Sequence, residues 1–231
     1  AVIGNHEFDA GVRNATEQLR RFARHDVVGA NYVMPDPQGP QEIGLAEVVK
    51  PFTILNADGL RVGVIGGANV SSLSSIGEGG NSLGITPLDE VQVVQDWIDF
   101  LEPQVDLIVL VSHMGLGEDE RVIRATSGLD LVFGGHHHIV LNPPKVIEDR
   151  VGRPVPLVHS GAFMKYVGKL DVVVRNGSVI SHDYSLYPVD SATWGDHCPP
   201  NSPRDRQPWC PLGMSAAELA QPWLPPDREA L

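Results

Sequence analysis

Two apolar runs of the kind that fill the interior of a sheet both lead into histidine, and this repeat limits what the chain can become. Asp106 to Leu110 runs into Val111-Ser112-His113-Met114-Gly115, and Leu129-Asp130-Leu131-Val132-Phe133 runs into Gly134-Gly135-His136-His137-His138. Short apolar runs rich in β-branched residues and closed by glycine read as buried strands. Ahead of them Val91, Val94, Ile98 and Leu101 fall on one helical face, with Asp89 placed to cap the helix and Pro103 to end it. Strand and helix patterns alternate, which favours an α/β chain. One histidine after a strand usually satisfies a local hydrogen bond. Two strand ends of this kind bring imidazoles to the rim where α/β sheets carry their chemistry.

A third piece opens the chain. Gly4-Asn5-His6-Glu7-Phe8-Asp9 packs a neutral oxygen, an imidazole and a carboxylate into one turn. An amide oxygen binds a cation without adding charge, an imidazole moves a proton near neutral pH, and a carboxylate holds an imidazole in one tautomer. The competing reading is a polar turn in which Asp9 caps the next helix. That helix is marked by Val12, Ala15, Leu19 and Phe22, an apolar stripe interleaved with Arg13, Arg20, Arg21 and Arg24.

Val27 to Ala30 reads as a short strand. Val48 to Leu55 and Leu60 to Gly66 read as a hairpin closed by Asn56-Ala57-Asp58-Gly59, residues that accept positive φ. Residues 71 to 84 hold five serines and four glycines and read as a loop beside the site. Glu118 to Ala125 reads as a short helix. Val155 to Val158, Val167 to Val174 and Ser178 to Tyr184 read as strands, the last two joined at Asn176-Gly177. Nine of the 19 prolines follow Tyr187, where only Ser215 to Glu218 suggests a helix. We therefore divide the chain into a domain over 1–187 and a Pro-rich tail over 188–231.

A formal net charge of −12 argues against a nucleic-acid polymer or an anionic membrane surface as partner. An anionic substrate would have to be drawn by metal ions. No run approaches the roughly 18 apolar residues of a membrane span. Cys198 and Cys210 bracket a Pro-rich stretch, and a bridge between them would suit an oxidising compartment. His25, His159 and His182 read as structural, because lone imidazoles usually meet local hydrogen bonds.

GNHEFD at Gly4 to Asp9, SHMG at Ser112 to Gly115 and GGHHH at Gly134 to His138, in that order, resemble the calcineurin-like metallophosphoesterases and, within them, the 5'-nucleotidase branch. Val28 to Asn31, Gly63 to Gly66 and Ser160 to Asp171 resemble the family's intervening strands and closing hairpin, so the resemblance covers roughly residues 1–187. It implies an α/β fold of the αββα metallophosphatase type, with two mixed β-sheets flanked by helices in four layers. The family's Asp-x-His strand and Gly-Asp turn precede GNHE, and the first strands are expected to be missing here.

The resemblance implies two divalent metal ions, of which Zn, Mn, Fe, Co and Ni all suit the donor types. By resemblance Asn5, His113 and His136 are ligands of one metal and His138 of the other. His6 is then the catalytic acid with Asp9 as its orienting carboxylate, and His137 points away. The implied substrate is a small-molecule phosphoester, foremost a nucleotide, and the implied location is periplasmic, secreted or at the cell surface. A non-catalytic metal-binding or interaction module, and a metallophosphoesterase acting on other phosphoesters, stay open as alternatives.

Overall fold

The apolar runs pair into one six-stranded mixed sheet. In the computed structural model, which describes residues 1–35, 43–71, 84–175 and 177–189, its strand order is β4 (Phe52–Ala57), β5 (Leu60–Gly67), β7 (Leu107–Ser112), β8 (Leu131–Phe133), β10 (Pro154–Val158), β9 (Lys145–Glu148). Inner neighbours are parallel, and the two edge strands β4 and β9 are antiparallel to theirs. Three two-stranded pieces accompany it. They pair β1 (Val27–Val28) with β3 (Val49–Lys50), β2 (Tyr32–Val33) with β6 (Thr86–Pro87), and β11 (Tyr166–Arg175) with β12 (Ser178–Pro188). This is the expected mixed α/β architecture of several sheets flanked by helices.

Pro51 divides the strand expected over Val48 to Leu55. Lacking an N–H, it cannot continue a ladder. Val49 and Lys50 therefore pair with β1, while Phe52 onward pairs with β5. The β4–β5 turn adopts the positive φ its sequence suggested, at Asp58 (51°) and Gly59 (89°).

Two apolar clusters hold the fold. Helices α2 (Glu90–Leu101) and α3 (Leu116–Ala125) pack Ile98, Leu101, Val122 and Ile123 with Ile65 and Leu110 of the large sheet. As expected, the Asp89 side chain caps α2, accepting from the Gln92 N–H at 2.9 Å. A second cluster gathers Ile3, Phe8, Ala15, Tyr32, Val49 and Ile85 beside α1 (Gly11–Phe22). The expected stripe on α1 stops one turn early, and Phe22 is 68% exposed.

The clusters meet where the chain crosses itself closely. Asn31, fully buried, donates from Nδ2 to the Ala68 carbonyl at 2.8 Å and accepts from the Ala68 N–H at 2.7 Å. Glycine is required at position 66, since a methyl there would overlap the backbone of Val28 and Gly29. No helix among the described residues is long and apolar enough to cross a membrane. Asn176, Cys198, Cys210, the helix suggested over Ser215 to Glu218 and most of the 71–84 loop lie outside the described residues.

Candidate functional site

The register of the parallel strands puts their carboxyl ends level. Gly67 faces Ser112 across β5–β7, Val111 faces Phe133 across β7–β8, and Phe133 faces Val158 across β8–β10. His113, the Gly134 to His138 segment and His159 therefore leave the sheet on one rim. The opening turn reaches the same rim from β1, where Val2 bridges Val28 and the Ile3 N–H bonds the Val28 carbonyl at 3.0 Å.

Asn5 and His113 meet there. Nε2 of His113 lies 3.0 Å from Oδ1 of the buried Asn5. Gly4 makes room for the approach: a Cβ at that position would stand 3.0 Å from the His113 ring. Glu7 holds the turn by accepting the Gly4 N–H at 2.7 Å. His136 follows, its ring centroid 5.3 Å from that of His113. His6 and His138 are close enough to act electrostatically on both His113 and His136.

Asp9 does not cap α1, whose N-cap is Ala10 with no side-chain bond. Its carboxylate instead meets Nδ1 of His6 at 2.9 Å, on the exposed side of the cluster. Of the two readings open for this turn, the capping one is excluded by the observed partner.

His136 and His138 both take left-handed backbone conformations, with φ of 73° and 58°. A residue with a Cβ pays of order 1 kcal/mol or more for that conformation, and such residues concentrate at functional sites. Their alternation with His137 splits the triplet. The His137 ring turns toward α3, where its Nδ1 accepts the Leu116 N–H at 3.2 Å, and it packs over Gly115, whose φ is 106°.

Burial lowers the pKa of His113 and, together with the neighbouring imidazoles, that of His136. Both rings are thus biased to the neutral form that a cation requires of a ligand. Two donors on adjacent positions about 2.1 Å from one shared ion stand about 3 Å apart, so the Asn5–His113 separation fits such a pair. Among the described residues no three His, Cys, Asp or Glu side chains form a metal-binding group. What the rim gathers is an amide oxygen, that of Asn5, beside the imidazoles of His113 and His136.

Directly beneath the rim stand Asp119, which the sequence reading passed over, and His159, which it read as structural. Asp119 and His159 are 0% and 1% exposed and joined at 2.8 Å, and Ser112 bonds the other Asp119 oxygen. A signal for Asp119 existed, because it shares a helical face with the buried Val122 and Ile123. Phe163, 75% exposed, sets its ring 4.8 Å from that of His138.

A family model described as calcineurin-like phosphoesterase matches residues 1–140. The chain belongs to the calcineurin-like phosphoesterases. Among curated relatives of this calcineurin-like phosphoesterase, the snake venom 5'-nucleotidase of Crotalus adamanteus is 31% identical over 194 residues, which are 78% of this chain and 32% of that protein. The 5'-nucleotidase of Rattus norvegicus is 32% identical over 185 residues, 74% of this chain and 31% of that protein. Among solved structures, a 5'-nucleotidase precursor from Thermus thermophilus superposes with a TM-score of 0.71 at 28% identity, over 81% of this chain and 38% of that one. The chain spans about a third of the length of the curated relatives it matches.

Proposed function

We propose that the chain carries part of the active site of a metal-dependent phosphoester hydrolase of the 5'-nucleotidase kind, with a nucleotide as the foremost substrate class. The observation that carries this reading is the convergence of Asn5, His113 and His136 beside a His6–Asp9 pair, from three sequence segments onto one rim. Asn5, His113 and His136 would hold one divalent ion and His138 would serve a second. When bound, such ions offset phosphoryl charge and make hydroxide available near neutral pH.

His6 does the proton work. Asp9 accepts from Nδ1, which fixes the ring and its tautomer and leaves the second ring nitrogen, Nε2, for the leaving oxygen. As the phosphorus–oxygen bond breaks, the Nε2 proton passes to the leaving oxygen and the ring returns to its neutral Nδ1–H tautomer. The donors among the described residues are fewer than two ions need. We infer that further donors of the family's Asp-x-His and Gly-Asp type complete the site, and that the 231-residue chain alone is weakly active. The domain over 1–187 is the catalytic part of this reading. A secreted, periplasmic or cell-surface location draws support from the venom origin of a relative.

The test is hydrolysis of a nucleoside monophosphate and of p-nitrophenyl phosphate by a form with an Asp-x-His and Gly-Asp segment of the family joined ahead of Ala1. His6→Ala should lower kcat by roughly 10²- to 10⁴-fold with metal binding unchanged, the usual worth of a positioned acid. An unchanged kcat would remove His6 from the mechanism. A preference for p-nitrophenyl phosphate with no turnover of nucleotides would move the substrate to other phosphoesters.

A further inference from the structure

Asp119 and His159 are buried titratable groups that the proposed chemistry does not use, and their placement is specific. Asp119 lies in the first turn of α3, its N–H bonded to the Gly115 carbonyl at 2.9 Å, so its carboxylate sits under the loop that presents His113. One carboxylate oxygen accepts from the Ser112 hydroxyl. That hydroxyl oxygen in turn accepts the Met114 N–H at 3.0 Å, closing a small ring of bonds around the His113 backbone. The other carboxylate oxygen meets Nε2 of His159 at 2.8 Å, which assigns the ring proton to Nε2.

His159 lies at the centre of the second loop's support. The segment that carries His136 and His138 is pinned at one end by the Gly134 N–H to the Val158 carbonyl at 2.9 Å. At its other end the Leu141 N–H bonds the carbonyl of His159 itself at 2.9 Å, and the Gly161 N–H bonds the Ile139 carbonyl at 2.8 Å. Gly134 lies flat on the pair, since a methyl there would overlap both His159 Nε2 and Asp119 Oδ2. One buried pair therefore touches the strand ends from which both histidine loops depart.

We propose that Asp119 and His159 are positioning residues that fix the spacing of His113 and His136 for one divalent ion, Ser112 relaying the pair to the His113 loop. The inference rests on the metal-binding reading of those histidines. Groups bonded behind a metal's ligands set ligand orientation, and their loss costs roughly 10- to 100-fold in affinity. Burial of a titratable pair away from solvent gives stability at best weakly, so a packing role alone is an insufficient account of it.

The experiment is titration of the 231-residue chain with Co²⁺, followed by visible absorption, with circular dichroism melts of the metal-free protein in parallel. His159→Leu should weaken Co²⁺ binding roughly 10- to 100-fold and alter the absorption bands, whereas His159→Gln, which keeps a donor toward Asp119, should restore much of the affinity. Ser112→Ala, a small change that cuts the relay while leaving the pair, should weaken binding in the same direction and decides the matter if His159→Leu fails to fold. Folded variants that bind Co²⁺ as tightly as the parent, with the same spectrum, would overturn the positioning role while leaving the metal-binding reading intact. Failure of the parent chain itself to bind Co²⁺, or binding unaffected by His113→Ala, would overturn both.

Discussion

Nε2 of His113 stands 3.0 Å from Oδ1 of Asn5, a contact between residues 108 positions apart. If both atoms serve one ion, the two side chains act as a unit. Asn5→Ala and His113→Ala should each weaken binding of Mn²⁺ or Zn²⁺, and the double variant should cost less than the sum of the singles, by about 0.5–3 kcal/mol of coupling. Calorimetric titration of the four proteins measures the cycle. Strict additivity would mean that the two atoms do not share an ion.

Acid should weaken the metal-free fold through its buried imidazoles. Burial lowers the pKa of His113, and burial with neighbouring imidazoles lowers that of His136. The unfolded chain therefore takes up protons on these residues that the folded chain refuses, so stability is full above the ordinary histidine value of about 6.5 and falls as pH drops below it. Urea unfolding at pH 7.5 and pH 5.5 should show this loss. His113→Asn should make the loss smaller, and an identical pH slope in that variant would assign the effect to other groups.

Backbone contact between the two clusters should make glycine obligatory at one position and dispensable at another. Gly66→Ala forces a methyl into the backbone of Val28 and Gly29, and should destabilise by roughly 1–3 kcal/mol, the cost of overpacking a rigid neighbour. Gly117, near the start of α3, has open space around its Cβ position. There alanine should be neutral or stabilising by up to about 1 kcal/mol, through lower backbone entropy in the unfolded chain. Thermal melts of the two variants should move in opposite directions or leave Gly117→Ala at the parent value.

The sequence exposed those parts of the fold in which local pattern and tertiary need coincide. Asp89 ahead of an apolar stripe marked α2, and Asp58-Gly59 marked the β4–β5 turn, because capping and positive φ are satisfied within a few residues. The approach of Asn5, His113 and His136 was legible only as motif order, since spacing carries no distance between segments a hundred residues apart. Less was legible at Pro51, where one missing N–H sends adjacent residues to different sheets. Phe22 took its place in a helical stripe that outran the surface it covers. His159 read as an ordinary strand histidine because its partner, Asp119, is 40 residues away on a helix.

If the histidine rim is an incomplete metal-dependent hydrolytic site, adding the missing donors should switch it on. A metal-titrated phosphatase assay, run on the 231-residue chain and on the form extended with an Asp-x-His and Gly-Asp segment, tests this directly. The chain alone should bind about one divalent ion tightly and turn over substrate at trace rates, since one ion lacks the second half of the clamp. The extended form should gain activity by orders of magnitude, lose it to a chelator, and lose it again in His113→Ala. An extended form that stays inactive with every metal, or activity in either form that survives chelation and His113→Ala, would contradict the assignment of the rim as a metal-dependent hydrolytic site.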